Sequence, residues 1–167
     1  MIDHLTLRLA TRADSAQIAA MSRDLIERGL GWSWTPRRVL RSIGDAHTNV
    51  VVALENVQSG GQRLTGFGIM KYHDDEAHLL LLAVQASDRR RGIGAALVTW
   101  LEKAALVSGV GQVYLESRMS NLQARAFYRQ LGYREVQTVP GYYQGVEPGV
   151  RMAKDLWLGR GITEDFT

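Results

Sequence analysis

Residues 77–96 read AHLLLLAVQASDRRRGIGAA. The apolar run at 79–84 is too short to span a membrane and has no helical spacing, so it predicts a strand buried on both faces. Polar and small residues fill 85–88, and Arg89, Arg90 and Arg91 then lead into Gly92-Ile93-Gly94. From there Ile93, Leu97, Trp100, Leu101 and Ala104 recur on one face of a helix. A strand therefore enters a basic, glycine-containing turn that opens a helix. The first N–H groups of a helix lack internal partners, and the aligned peptide dipoles make that end positive. Gly92 and Gly94 carry no Cβ and let a ligand approach those groups. Arginine forks suit phosphate. The stretch predicts an anion cradle fitted to a pyrophosphate.

Two common phosphate motifs are excluded. The nucleotide-triphosphate loop needs Gly-Lys-Ser/Thr, and this stretch has no lysine. The dinucleotide fingerprint needs a third glycine where Leu97 stands.

With 167 residues, 46% of them hydrophobic, the chain has material for one core, and 1–167 is expected to be a single domain. It has no cysteine, which excludes disulfides, thiol nucleophiles and cysteine-ligated metals. His4, His47, His73 and His78 lack ligand spacing, so no metal is expected. No stretch approaches membrane-spanning length and the first residues carry no apolar leader, so a soluble cytoplasmic protein is expected. The net charge of +3 is small and dispersed and does not argue for nucleic-acid binding.

Outward from the central stretch, residues 5–10 alternate like a first strand. Thr11 and Asp14 have capping-box spacing ahead of a helical face at Ile18, Met21 and Leu25. Thr35 as N-cap and Pro36 at the first helical position start a second helix carrying Val39, Leu40 and Ile43. Segments 49–54 and 64–72 form a hairpin across Gly60-Gly61. Beyond the central strand and its helix, 113–117 is a strand parallel to the central one. Ser120 is expected to cap a helix over 121–131, closed by Gly132. Segments 133–139 and 150–156 make a last strand pair, with Tyr142 and Tyr143 in the connection. The order is β-α-α-β-β-β-α-β-α-β-β, a mixed α/β domain.

Arg89-Arg90-Arg91-Gly92-Ile93-Gly94 fits R-x-x-G-x-G, and residues 116–133, ESRMSNLQARAFYRQLGY, fit N-x-x-A-x-x-x-Y-x-x-x-G-Y at Asn121, Ala124, Tyr128, Gly132 and Tyr133. These blocks, in this element order, resemble the GCN5-related N-acetyltransferase (GNAT) family. The closest resemblance within it is to the protein N-terminal acetyltransferases, including the ribosomal-protein alanine acetyltransferases. Trp34-Thr35 and Tyr142-Tyr143 add to that likeness, while Gly141 and the extra Trp32 depart from it. The resemblance implies a mixed central sheet with helices on both faces, splayed between its central parallel strands. It also implies acetyl-CoA as cosubstrate, no metal, and direct transfer to a primary amine.

Residue by residue, the resemblance implies that backbone amides of Leu82, Ala83 and Val84, at a strand bulge, serve the thioester and pantetheine. It gives Arg90, Arg91, Gly92, Ile93, Gly94 and Ala95 the pyrophosphate through their backbone amides, counts Arg89 among the cofactor-binding residues, and gives Asn121 the pantetheine arm. Glu116, ending its strand, is the expected base acting through a water, with a structural pairing to Arg118 or Arg134 as the alternative. His78 either shares that water or is an ordinary strand histidine. Tyr128 is the expected acid for the departing thiolate, or else a packing residue. Trp32, Trp34, Tyr142 and Tyr143 are candidates for an aromatic lip around the acceptor, or hydrophobic staples. The expected acceptor is a protein N-terminus, with a small amine (polyamine, amino acid or drug) as the alternative and a non-catalytic acyl-CoA sensor as a different class. Monomer and homodimer both remain open, since an exposed edge strand need not pair.

Overall fold

The structure is a computed structural model in which residues 4–158 are described. The elements are β1 (Leu5–Leu9), α1 (Ser15–Met21), α2 (Pro36–Gly44), β2 (Thr48–Asn56), β3 (Gln62–Tyr72), β4 (Ala77–Val84) and α3 (Ile93–Val107), then β5 (Gln112–Arg118), α4 (Leu122–Gln130), β6 (Arg134–Tyr143) and β7 (Glu147–Asp155). This is the order expected from the sequence. The strands hydrogen-bond in the order β1-β2-β3-β4-β5-β7-β6. β4 and β5 are parallel, and their ladder holds Ala77↔Val113, His78↔Tyr114 and Leu79↔Leu115. The pairs β1/β2, β2/β3, β5/β7 and β6/β7 are antiparallel. The chain divides into two compact units: the residues up to Lys71 with Leu80–Leu101, and Tyr72–Leu79 with the residues from Glu102 onward.

In the first unit, caps set the helix starts. The Thr11 N–H donates to the Asp14 carboxylate at 2.7 Å, and the Thr35 hydroxyl accepts from the Arg38 N–H at 3.4 Å. Ile18, Val39, Val50, Val52, Phe67, Ile69 and Leu81 form the buried cluster under α1 and α2. On β3, Gly66 and Gly68 alternate with Phe67 and Ile69 and so face the other way. A Cβ at Gly66 would lie 2.9 Å from the Ala83 carbonyl oxygen and 3.1 Å from Leu97, and one at Gly68 would lie 2.9 Å from Leu101. Two missing side chains on β3 thus bring α3 close, and helices cover both faces of this unit.

Two expectations are corrected here. β4 is buried on alternate residues only: Leu79, Leu81 and Ala83 are buried, while Leu80, Leu82 and Val84 are half-buried. The buried face of α3 is Ile93, Leu97, Val98, Leu101 and Ala105, and Trp100 and Ala104 sit at its margin, half-buried. The buried face is thus rotated toward Val98 and Ala105 relative to the sequence pattern.

In the second unit, Asn121 rather than Ser120 caps α4, its side-chain oxygen accepting from the Ala124 N–H at 3.0 Å. The Ser120 hydroxyl donates instead to Glu147. β6 runs on to Tyr143, so Tyr142 and Tyr143 end a strand instead of occupying a loop. The turn beyond has Gln144 and Gly145 at φ 56° and 74°. Tyr133 is buried, and its hydroxyl donates to Glu102 at 3.0 Å, which also pairs with Lys154 at 3.0 Å.

Gly66→Ala is expected to lower unfolding free energy by about 1–3 kcal/mol, since the new methyl meets a backbone oxygen that has little room to yield. A urea midpoint unchanged from the parent would contradict this packing.

Candidate functional site

In the first unit, β4 stops at Val84 and a short turn, Ala86–Asp88, leads into the arginines. Arg90 takes φ 64° and Gly92 φ 79°, both left-handed, so successive peptide units change orientation before α3 begins. The Ala96 N–H bonds the Gly92 carbonyl at 3.0 Å. Among the described residues, none of the backbone N–H groups of 89–95 has an acceptor. Such a run of outward amides at a helix start is chemically suited to a polyanion. The arginines divide. Arg89 and Arg90 are exposed, whereas Arg91 turns to Glu55 at 2.6 Å and Asp88 at 2.9 Å. Those carboxylates hold its guanidinium more firmly protonated. Its fork is therefore engaged within the protein, while those of Arg89 and Arg90 are on exposed residues. Leu82 and Val84 are half-buried and Ala83 is buried.

In the second unit, strand register builds a cluster around Glu116. β4 places His78 beside Tyr114, their rings stacked at 4.2 Å, and β7 places Arg151 opposite Glu116. Glu116 keeps 2% of its side chain exposed. Its Oε2 lies 2.5 Å from His78 Nε2 and accepts from the Tyr142 hydroxyl at 3.2 Å. Its Oε1 accepts from Arg151 Nε at 2.9 Å. Burial alone pushes its pKa up, but the bonds to His78 and Arg151 outweigh burial, and the group sits below the usual carboxylate range. The arginine paired with Glu116 is Arg151, not the Arg118 or Arg134 of the alternative, and Arg118 contacts Glu147 at 3.4 Å. Burial and the Glu116 charge push the Tyr142 phenol up to about 12. Tyr143 packs edge-on against Tyr142 and is raised by burial as well.

Tyr128 is buried on α4 between Phe127 and Tyr133, and burial raises its phenol. Asn121 is exposed, and its side-chain oxygen is engaged in the cap, so its NH2 is the donor left for a ligand.

The tryptophans part company. Trp34 belongs to the core cluster with 7% exposure, and Arg38 covers its ring at 3.8 Å, so it forms no acceptor lip. Trp32 is 40% exposed, with its indole N–H bonded to the Ala19 carbonyl at 3.2 Å. Glu27 fixes this segment by accepting from the Ser33 N–H and hydroxyl at 2.7 and 2.6 Å and from Ser22 at 2.9 Å. Sequence reasoning missed Glu27, Tyr114 and Arg151. The last two needed the strand register to appear. Among the described residues no group of side chains is arranged to hold a metal, and no helix is long and apolar enough to cross a membrane.

Residues 19–133 match the Acetyltransferase (GNAT) family. An N-acetyltransferase of Methanocaldococcus jannaschii is 34% identical over 93 residues, which are 55% of this chain and 60% of that protein. The [ribosomal protein bS18]-alanine N-acetyltransferase of Salmonella typhimurium is 30% identical over 130 residues, 76% of this chain and 84% of that one. The crystal structure of the ribosomal-protein-S18-alanine N-acetyltransferase from Escherichia coli superposes with a TM-score of 0.72 at 25% identity, covering 98% and 99% of the two chains.

A carboxyl held low in the folded state contributes stability above its unfolded value, near 4.5, and loses it as pH falls through the folded value. Urea unfolding across a pH series should therefore show wild-type stability falling below about pH 4.5 more steeply than that of Glu116→Gln. Equal slopes would contradict the depressed carboxyl.

Proposed function

The chain belongs to the acetyltransferase (GNAT) family, whose members move the acetyl group of acetyl-CoA to an amine, and we propose that its acceptor is the N-terminal α-amino group of a protein or peptide. Glu116 carries that choice. Held low by His78 and Arg151, it is a weak proton acceptor near pH 7. An α-ammonium with pKa of about 7.7–8.0 already has a neutral fraction there, whereas a lysine side chain, at about 10.4, is far harder to deprotonate. The Salmonella typhimurium relative, named for an alanine acceptor, supports the same reading.

The outward amides of 89–95 are the proposed seat of the acetyl-CoA diphosphate. Amides of Leu82, Ala83 and Val84 are assigned to the thioester oxygen and pantetheine, and the Asn121 NH2 to the pantetheine arm. The acceptor nitrogen attacks the thioester carbon, a C–N bond forms and the C–S bond breaks. The nitrogen's surplus proton goes, through water, to the pair formed by His78 and Glu116, which share a short contact. The leaving thiolate accepts a hydrogen bond from the Tyr128 hydroxyl and takes its proton from water. A phenol near 10 is about 1.5 units above a thiol near 8.5, an uphill transfer of about 2 kcal/mol. Burial of Tyr128 adds to that difference. The phenol therefore acts as a hydrogen-bond donor that follows the developing charge rather than a free acid. Tyr142, exposed at 40% and bonded to Glu116, and its neighbour Tyr143 are assigned to the acceptor.

Thiol release from acetyl-CoA should be fastest with peptides carrying a free α-amine, and slow with polyamines, aminoglycosides and N-blocked lysine peptides. The highest kcat/KM on a small amine, or no release with any acceptor, would overturn this assignment. Tyr128→Phe should lower kcat by about 10²-fold or more with little change in acetyl-CoA affinity, and His78→Ala should lower kcat and alter its pH profile. Loss of binding alone in the Tyr128 variant, or wild-type kcat in the His78 variant, would remove that residue from the chemistry.

A further inference from the structure

We propose that the Arg91 guanidinium does not bind phosphate, and that with Arg63, Glu55 and Asp88 it forms a closed ring of charges that positions the amide loop. The proposal rests on the reading of 89–95 as the diphosphate seat. Arg63 reaches both Asp88 oxygens, at 2.7 and 2.8 Å, and Glu55 at 2.7 Å. Arg91 reaches the same two carboxylates, Asp88 at 2.9 Å and Glu55 at 2.6 and 3.3 Å. Each anion thus accepts from both cations and each cation donates to both anions. Glu55 and Arg63 are cross-strand partners on β2 and β3, so two corners stand on a rigid hairpin. The other two, Asp88 and Arg91, lie in the segment that leads to the amides.

Asp88 explains why Arg91 faces inward. Its side chain is 3% exposed, and a carboxylate removed from water is stable only with cationic and hydrogen-bonding partners. Arg63 foremost, and Arg91 after it, hold it below the usual carboxylate range. Arg91 sits between Arg90 and Gly92, the two left-handed residues of the loop. A non-glycine residue at φ 64° keeps that conformation only where its surroundings impose it. Anchoring Arg91 to the hairpin supplies such a constraint one residue away. The ring has no net charge, so attraction for a diphosphate comes from the amides, the helix start, and the exposed Arg89 and Arg90.

Coenzyme A titrated by calorimetry into Arg63→Met, Arg91→Met and the double variant tests this, with kcat at saturating acetyl-CoA and the thermal midpoint measured alongside. Each single variant is expected to weaken binding about 10-fold, as loss of an outer positioning partner does, and in Arg63→Met kcat at saturating acetyl-CoA stays within about two-fold. The double variant should lose no more than either single one, because the residues act as one unit. Arg63→Lys should restore part of the loss. Unchanged affinity in Arg63→Met would overturn the ring, and an Arg91→Met loss that exceeds and adds to that of Arg63→Met would overturn it by making the Arg91 guanidinium a phosphate ligand. If Arg63→Met does not fold, Glu55→Gln decides in its place: weakened binding supports the ring and wild-type affinity overturns it. Failure of the wild-type protein to bind coenzyme A would instead remove the diphosphate seat itself.

Discussion

A helix that begins without acceptors for its first N–H groups must find them elsewhere, and the start of α3 finds none among the described residues. The rest of the first unit is arranged around that deficit. β4 delivers the chain to this point, Arg90 and Gly92 turn the peptide units outward, and Gly66 and Gly68 let α3 lie close to β3. Solvent satisfies such groups at modest cost, and an anion satisfies them better because the peptide dipoles add to the attraction.

Three buried carboxylates show how the chain places charge where burial alone would neutralise it. Asp88 is answered by two arginines and becomes a structural anchor. Glu27 is answered by hydroxyl and backbone donors and fixes the segment bearing Trp32 and Trp34; burial raises its pKa, but those bonds carry it below the ordinary value. Glu116 is answered by one arginine, one histidine and one phenol. Of the three, only Glu116 has partners that can exchange protons, a composition suited to chemistry rather than support. The same physics, desolvation set against hydrogen bonding, acts on all three, and only the partners supplied differ.

The amide loop was legible in the sequence because its determinants are local: an apolar run, a glycine pair and a helical repeat within twenty residues. Element order was legible for the same reason. What depended on register or on distant partners was not. Arg151 looks like any strand residue until β7 sets it against Glu116. Arg91 looks like a phosphate ligand until Asp88, buried, draws it inward. Trp34 resembles a loop aromatic, but Glu27 folds its segment so that the ring joins the core. Ser120 and Asn121 are both good caps by type, and Glu147, far along the chain, settles the matter by taking the Ser120 hydroxyl.

Backbone-amide NMR during titration of coenzyme A into the wild-type protein tests the anion seat most directly. Saturable shifts that are largest at the N–H groups of 89–95 are the predicted result. Binding that leaves those amides unmoved, or no binding at all, would contradict the assignment of this loop to the diphosphate.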